Sequence, residues 1–120
     1  MIAGLGVDIA EIKRVWHAYQ QNKRFLTYIL TPNEQQVFQS LSCRRQQEFL
    51  AGRFSAKEAY SKAYGTGIGA QLSWHDIEVI DDVHGKPIVT HHPFDGCAFV
   101  SISHTEDMVF TEVILERDVK

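Results

Sequence analysis

An α+β fold, with a mostly antiparallel sheet packed against one long helix, is what this sequence predicts. Three observations lead there. Helical spacing and helix-capping residues dominate the first half, strand-like runs separated by turn signals dominate the second, and one long helical stretch joins them. The 120 residues suit a single domain, residues 1–120. With 44% hydrophobic and 22% charged residues, the chain is ordinary globular material, neither disordered nor membrane-like. The core that such a length allows is modest, which favours assembly of copies into an oligomer.

The opening Met1–Ile9 reads as a short strand ending near Asp8. A helix is predicted from about Glu11 to Gln21, because Ile12, Val15, Trp16 and Tyr19 recur at helical spacing. Thr31-Pro32-Asn33-Glu34 starts another: Thr31 can cap, Pro32 takes the first helical position, and Glu34 completes a capping box. That helix ends near Ser40–Ser42. The long helix runs from about Arg44 to Tyr64, and Gly65 is its natural stop. A glycine-rich loop, Gly65–Gly69, leads to strands near Asp76–Asp81, Pro87–His91, Ala98–Ser103 and Met108–Glu116. Residues 81–86 and 104–107 are turn-like. His91 and His92 read as loop or strand-end residues, and no internal repeat is visible.

The net charge of −3 hides an asymmetry. Residues 1–66 carry nine Lys and Arg against five acids, giving +4, whereas residues 67–120 carry three against ten, giving −7. Such a split suggests an anionic partner for the first half; the alternative is that these charges only solvate helix faces. Cys43 and Cys97 lie far apart and form no CxxC pair, which fits free thiols in a reducing, cytoplasmic setting. Met1–Val7 is apolar but lacks the basic start of a signal peptide, and nothing approaches the length of a membrane span. No membrane partner is expected.

The segment Arg53-Phe54-Ser55-Ala56-Lys57-Glu58-Ala59-Tyr60-Ser61-Lys62-Ala63-Tyr64-Gly65 carries the strongest local signal. At 100° per residue its side chains sort into three faces. Phe49, Gly52, Ala56, Ala59 and Ala63 share the core face, where small residues let another element approach closely. Glu58 and Lys62 share a second face, an i,i+4 pair also common on ordinary helix surfaces. Arg53 and Lys57 share a third, where like charges repel unless an anion sits between them. One carboxylate among three cations, followed by a glycine loop, suits a metal-bridged phosphate ligand. Mg²⁺ prefers hard oxygen donors and usually takes one or two protein carboxylates. Asp8 is the best second carboxylate; the alternative for it is a helix N-cap. The Gly65–Gly69 loop follows a helix C-terminus, the wrong end for a dinucleotide fingerprint, so a Rossmann reading is rejected.

Four segments, in order, resemble the holo-[acyl-carrier-protein] synthase family of 4′-phosphopantetheinyl transferases. They are Gly6–Ile12, Phe49–Gly69, Gly85-Lys86-Pro87 and Ser101–Thr105, and the likeness extends over nearly the whole chain. The resemblance implies a 4′-phosphopantetheinyl transferase-like fold and a Mg²⁺-dependent transfer of 4′-phosphopantetheine from coenzyme A to a carrier-protein serine. The released product is 3′,5′-ADP, and the setting is fatty acid biosynthesis. It implies that Asp8 and Glu58 bind the metal and that Lys62 lies near the pyrophosphate, these three being the catalytic set. Arg53, Lys57 and Lys62, the Gly65-Thr66-Gly67 loop, Pro87 and His104 are expected to line the coenzyme A site. Arg14, Arg24 and Arg45 are expected to meet an acidic apo acyl carrier protein. Short single-domain members are homotrimers with active sites between subunits. Phe99 departs from the histidine that many relatives carry there.

The mechanism implied is in-line attack of the serine hydroxyl on the β-phosphorus, with Lys62 adding a point charge. Glu58, neutral Lys62 or a metal-polarised water are the alternatives for the base, the water being favoured. A nucleic-acid-binding module is a rival, but the chain is acidic overall and lacks a basic-aromatic strand motif. A non-catalytic assembly protein is another.

Overall fold

Glycine spacing in the first strand explains how closely the layers pack. In the computed structural model, which describes residues 1–118, the strand β1 spans Ile2–Glu11. Side chains alternate across a strand, so Gly4, Gly6, Asp8 and Ala10 share one face. That face meets α4, Cys43–Tyr64. A Cβ built on Gly4 would lie 2.1 Å from the Ala63 carbonyl oxygen, and one on Gly6 would lie 2.0 Å from that of Ala59. Strand and helix backbones therefore touch, and only glycine fits. Asp8, next in the same row, is carried directly beneath the helix.

The remaining elements are α1 (Ile12–Gln21), α2 (Arg24–Ile29), α3 (Pro32–Gln39), a 3₁₀ turn (Trp74–Asp76), β2 (Glu78–Asp81), β3 (Pro87–His91), β4 (Cys97–His104) and β5 (Met108–Glu116). β5 is the centre of a three-stranded antiparallel sheet ordered β1-β5-β4, while β2 and β3 form a separate antiparallel pair. The expected α+β class and antiparallel pairing are found, with the strands divided between two sheets. The predicted helix signals also appear. Thr31 and Glu34 cap α3 reciprocally, and Gly65 ends α4 with φ 99°. α2 went unpredicted, because six residues with no side-chain cap leave no periodicity to read.

One feature of α4 departs from the three-face expectation. Every residue from Phe49 to Ser61 is buried except Phe54 and Glu58, which are half-buried. The helix is covered on one side by the three-stranded sheet and elsewhere by α1, α2, α3 and the β2–β3 pair. Its N-terminal half packs with Ile12, Leu26, Ile29 and Phe38, and its C-terminal half with Leu72, Ile77, Val79 and Leu115. The far face of the three-stranded sheet is open: Leu5, Val7, Ile9, Phe99 and Phe110 are all exposed there.

Candidate active site

Asp8 reaches the site because β1 presents it under α4, and its two oxygens meet different partners. Oδ2 accepts from Ser55 Oγ at 2.8 Å, and Oδ1 pairs with Lys62 Nζ at 3.1 Å. Lys62 Nζ also donates to the Val7 carbonyl at 3.1 Å. The cap position of α1 is Glu11, without a side-chain bond, so the N-cap alternative for Asp8 does not hold. Burial raises the pKa of Glu58, the negative charge of Asp8 raises it further, and Lys62 opposes both. The two carboxylates are therefore close enough to repel. This is a site short of positive charge.

Among the described residues no group of three or more His, Cys, Asp or Glu side chains is placed to hold a metal ion. Two carboxylates that repel each other are a donor set that suits Mg²⁺, which usually takes one or two protein carboxylates and completes its shell with phosphate and water. Asp8 and Lys62 border an open cavity of about 580 Å³, together with Val7, Ile9 and Phe110 from the exposed sheet face.

Lys57 lies elsewhere. Its ammonium is fully buried and makes three hydrogen bonds, to Glu34 Oε1 (2.6 Å), the Ile29 carbonyl (2.7 Å) and the Trp74 carbonyl (3.1 Å). All three donors are used, so none remains for a phosphate. The expectation that Lys57 binds coenzyme A is overturned. The anion that balances its charge is Glu34, which is also fully buried and accepts from Thr31 N and Val79 N at 2.9 and 2.8 Å. Burial lowers the pKa of Lys57, against the pull of Glu34.

Arg53 is also nearly buried. Its guanidinium donates to the Val79 carbonyl at 3.1 Å and to Asp81 Oδ1 at 2.9 Å, and covers the Phe49 ring at 4.1 Å. One edge borders a second cavity, of about 230 Å³, shared with Arg45, Pro87 and His104. Arg45 therefore stands with the expected coenzyme A residues and not with Arg14. Arg14 borders a third cavity, lined by Phe25 and Phe54, and Arg24 is exposed at the start of α2. Gly65, Thr66 and Gly67 form the turn that closes α4, Gly67 with φ 69°. On one chain, then, Asp8 and Lys62 line a different cavity from Arg53, Pro87 and His104.

A profile of the 4′-phosphopantetheinyl transferase superfamily matches residues 4–115. The chain belongs to the 4′-phosphopantetheinyl transferase superfamily. Within it, this transferase is of the holo-[acyl-carrier-protein] synthase type. It is 56% identical over 117 residues to the holo-[acyl-carrier-protein] synthase of Levilactobacillus brevis, spanning 98% of this chain and 96% of that one. The holo-(acyl-carrier-protein) synthase of Bacillus anthracis, solved in complex with CoA (3′,5′-ADP), superposes with a TM-score of 0.90 at 45% identity, over 98% of this chain and 99% of that chain. The Helicobacter pylori holo-[acyl-carrier-protein] synthase in complex with coenzyme A gives 0.82 at 30% identity, over 93% and 99%. The residues missed from the sequence of this transferase are Ser55, Thr111, Glu34 and Asp81. Each acts through a partner 23 to 56 positions away, so no local pattern marks it.

Proposed function

We propose that the transferase moves 4′-phosphopantetheine from coenzyme A to a serine of an apo acyl carrier protein, with Mg²⁺ held by Asp8 and Glu58, releasing 3′,5′-ADP, in the cytoplasm and for fatty acid biosynthesis. The observation that carries it is Asp8 meeting Lys62 across 54 positions of chain, beside a Glu58 that Asp8 repels. Bound there, Mg²⁺ supplies positive charge against the pyrophosphate oxygens. Lys62 is half-exposed, on a helix anchored by its core face, and its ammonium can leave Asp8 to meet the same phosphates. The serine hydroxyl gives its proton to a water beside the site, its oxygen forms a bond to the β-phosphorus as the bond to the α-phosphate oxygen breaks, and 3′,5′-ADP departs.

Arg53, Pro87 and His104 frame the cavity that suits the adenosine end, and the Gly65–Gly67 turn lies beside the metal-binding helix. Their separation from Asp8 and Lys62 on one chain, and the exposed apolar sheet face bordering the Asp8 cavity, support a homotrimer in which each site draws on two subunits. Arg14 and Arg24, exposed near the Phe25–Phe54 cavity, suit an acidic carrier helix, where rim charges mainly speed association. No helix among the described residues is long and apolar enough to cross a membrane.

The test is mass spectrometry of an apo carrier protein after incubation with enzyme and coenzyme A. A mass gain that requires Mg²⁺, stops with chelator and is lost in Asp8→Asn and Glu58→Gln supports the reading. Wild-type rates in either variant remove that carboxylate from the site.

A further inference from the structure

The buried hydroxyl pair behind Asp8 is the polar feature that the transfer chemistry leaves unused. Ser55 on α4 is fully buried and Thr111 on β5 nearly so. Their oxygens are 2.8 Å apart, and Ser55 Oγ lies 2.8 Å from Asp8 Oδ2. An ionised carboxylate only accepts, so the single Ser55 proton points to Asp8. The Thr111 hydroxyl must then donate to Ser55 Oγ. The donors run one way, from Thr111 to Ser55 to Asp8.

We propose that Ser55, oriented by Thr111, is a positioning residue that holds Oδ2 of Asp8 so that Oδ1 is presented to the metal. The proposal rests on Asp8 and Glu58 being the metal carboxylates. Asp8 and Thr111 are direct partners in the β1–β5 ladder, so both point at α4 and Ser55 meets them from above. The Asp8 side chain keeps 13% exposure, while its Oδ1 partner Lys62 keeps 53% and is free to move aside. Composition agrees. The positions one turn away on the same stripe of α4 are Ala51 and Ala59, both fully buried. Alanine is also the best helix former, so a serine at 55 has no local justification. A carboxylate on an edge strand turns broadly about its last torsion unless something holds it. Hydrogen-bond partners of metal-ligating carboxylates supply that restraint, and losing one typically weakens metal affinity by about 10- to 100-fold.

The test is Mn²⁺ binding followed by electron paramagnetic resonance, with coenzyme A present and no carrier protein, alongside thermal melting. Mn²⁺ accepts the same oxygen donors as Mg²⁺. Ser55→Ala should weaken Mn²⁺ binding about tenfold, and should also melt lower because it orphans the Thr111 hydroxyl. Adding Thr111→Val removes the orphan, so the double variant should melt above Ser55→Ala yet bind Mn²⁺ no better. Thr111→Val alone keeps the Ser55 donor but loses what orients it, and should weaken Mn²⁺ binding less than Ser55→Ala does. Wild-type affinity in the double variant overturns the proposal, as does an equal loss in Thr111→Val, which would tie affinity to packing alone. Asp8→Asn separates the two levels. If it binds Mn²⁺ as wild type does, or if wild type binds none, the metal assignment itself falls and the role of Ser55 with it.

Discussion

Replacing Lys57 by Met probes the largest departure from the sequence expectation. The side chain is fully buried and its ammonium fills three acceptors, one of them the fully buried carboxylate of Glu34. Met has nearly the same volume, so little cavity forms. What changes is charge: Glu34 keeps its two backbone donors but loses its counter-ion in a place that water does not reach. Breaking a buried pair by removing one partner costs about 3–5 kcal/mol. With a urea slope of about 2 kcal/mol per molar, the unfolding midpoint should fall by about 2 M. Adding Glu34→Gln removes the stranded charge and should recover at least about 0.5 M of that loss. Urea unfolding followed by circular dichroism reads both variants, and the KM for coenzyme A is measured where Lys57→Met is folded. A midpoint within about 0.5 M of wild type, together with a raised KM, would refute the reasoning. That outcome would restore Lys57 to the ligand site. A large midpoint loss with unchanged KM confirms that the charge serves the fold.

Gly6→Ala places a Cβ 2.0 Å from the Ala59 carbonyl oxygen, so β1 must lift from α4. Destabilisation should reach or exceed the upper end of the usual overpacking range, about 3 kcal/mol, by urea unfolding. His92 Nδ1 shares a 3.0 Å hydrogen bond with Tyr60 Oη, which also accepts from Phe94 N. Burial, and secondarily His91, lowers its pKa. The unfolded chain therefore takes up this proton first, and the stability involved is present above about pH 6.5 and lost as the pH falls through the lower folded value. The melting-temperature gap between wild type and His92→Gln should narrow on going from about pH 7.5 to about pH 5. Val7→Lys puts a charge on the exposed apolar sheet face without disturbing the side that meets α4. Sedimentation should show smaller assemblies and activity should drop with them; an unchanged mass would remove this face from the interface. Arg14→Glu should slow association with apo carrier protein mainly at low salt, where rim charges act over a longer range.

The sequence by itself determined most of the secondary structure, α2 excepted, and the family to which the chain belongs. Thr31-Pro32-Asn33-Glu34 and Gly65 act through neighbours in the chain, so α3 and the end of α4 were readable. The small residues at 56, 59 and 63 announced a close approach, and Gly4 and Gly6 supply the partner surface. Asp8, Glu58 and Lys62 were nameable because they stand in Gly6–Ile12 and Phe49–Gly69, two of the segments that carry the family resemblance.

Only the tertiary structure decided which charges of α4 are taken up by the protein itself. Arg53 and Lys57 share one stripe of α4, and a helical wheel cannot say what covers that stripe. Here the β2–β3 pair, α2 and α3 cover it, and Asp81 and Glu34 meet the two cations. The same holds for Ser55 and Thr111, whose partnership with Asp8 exists because β1, β5 and α4 converge. Local signals act over one helical turn, whereas desolvation and ion pairing depend on which distant segments exclude water. That is why the elements were legible in the sequence and the roles of their buried charges were not.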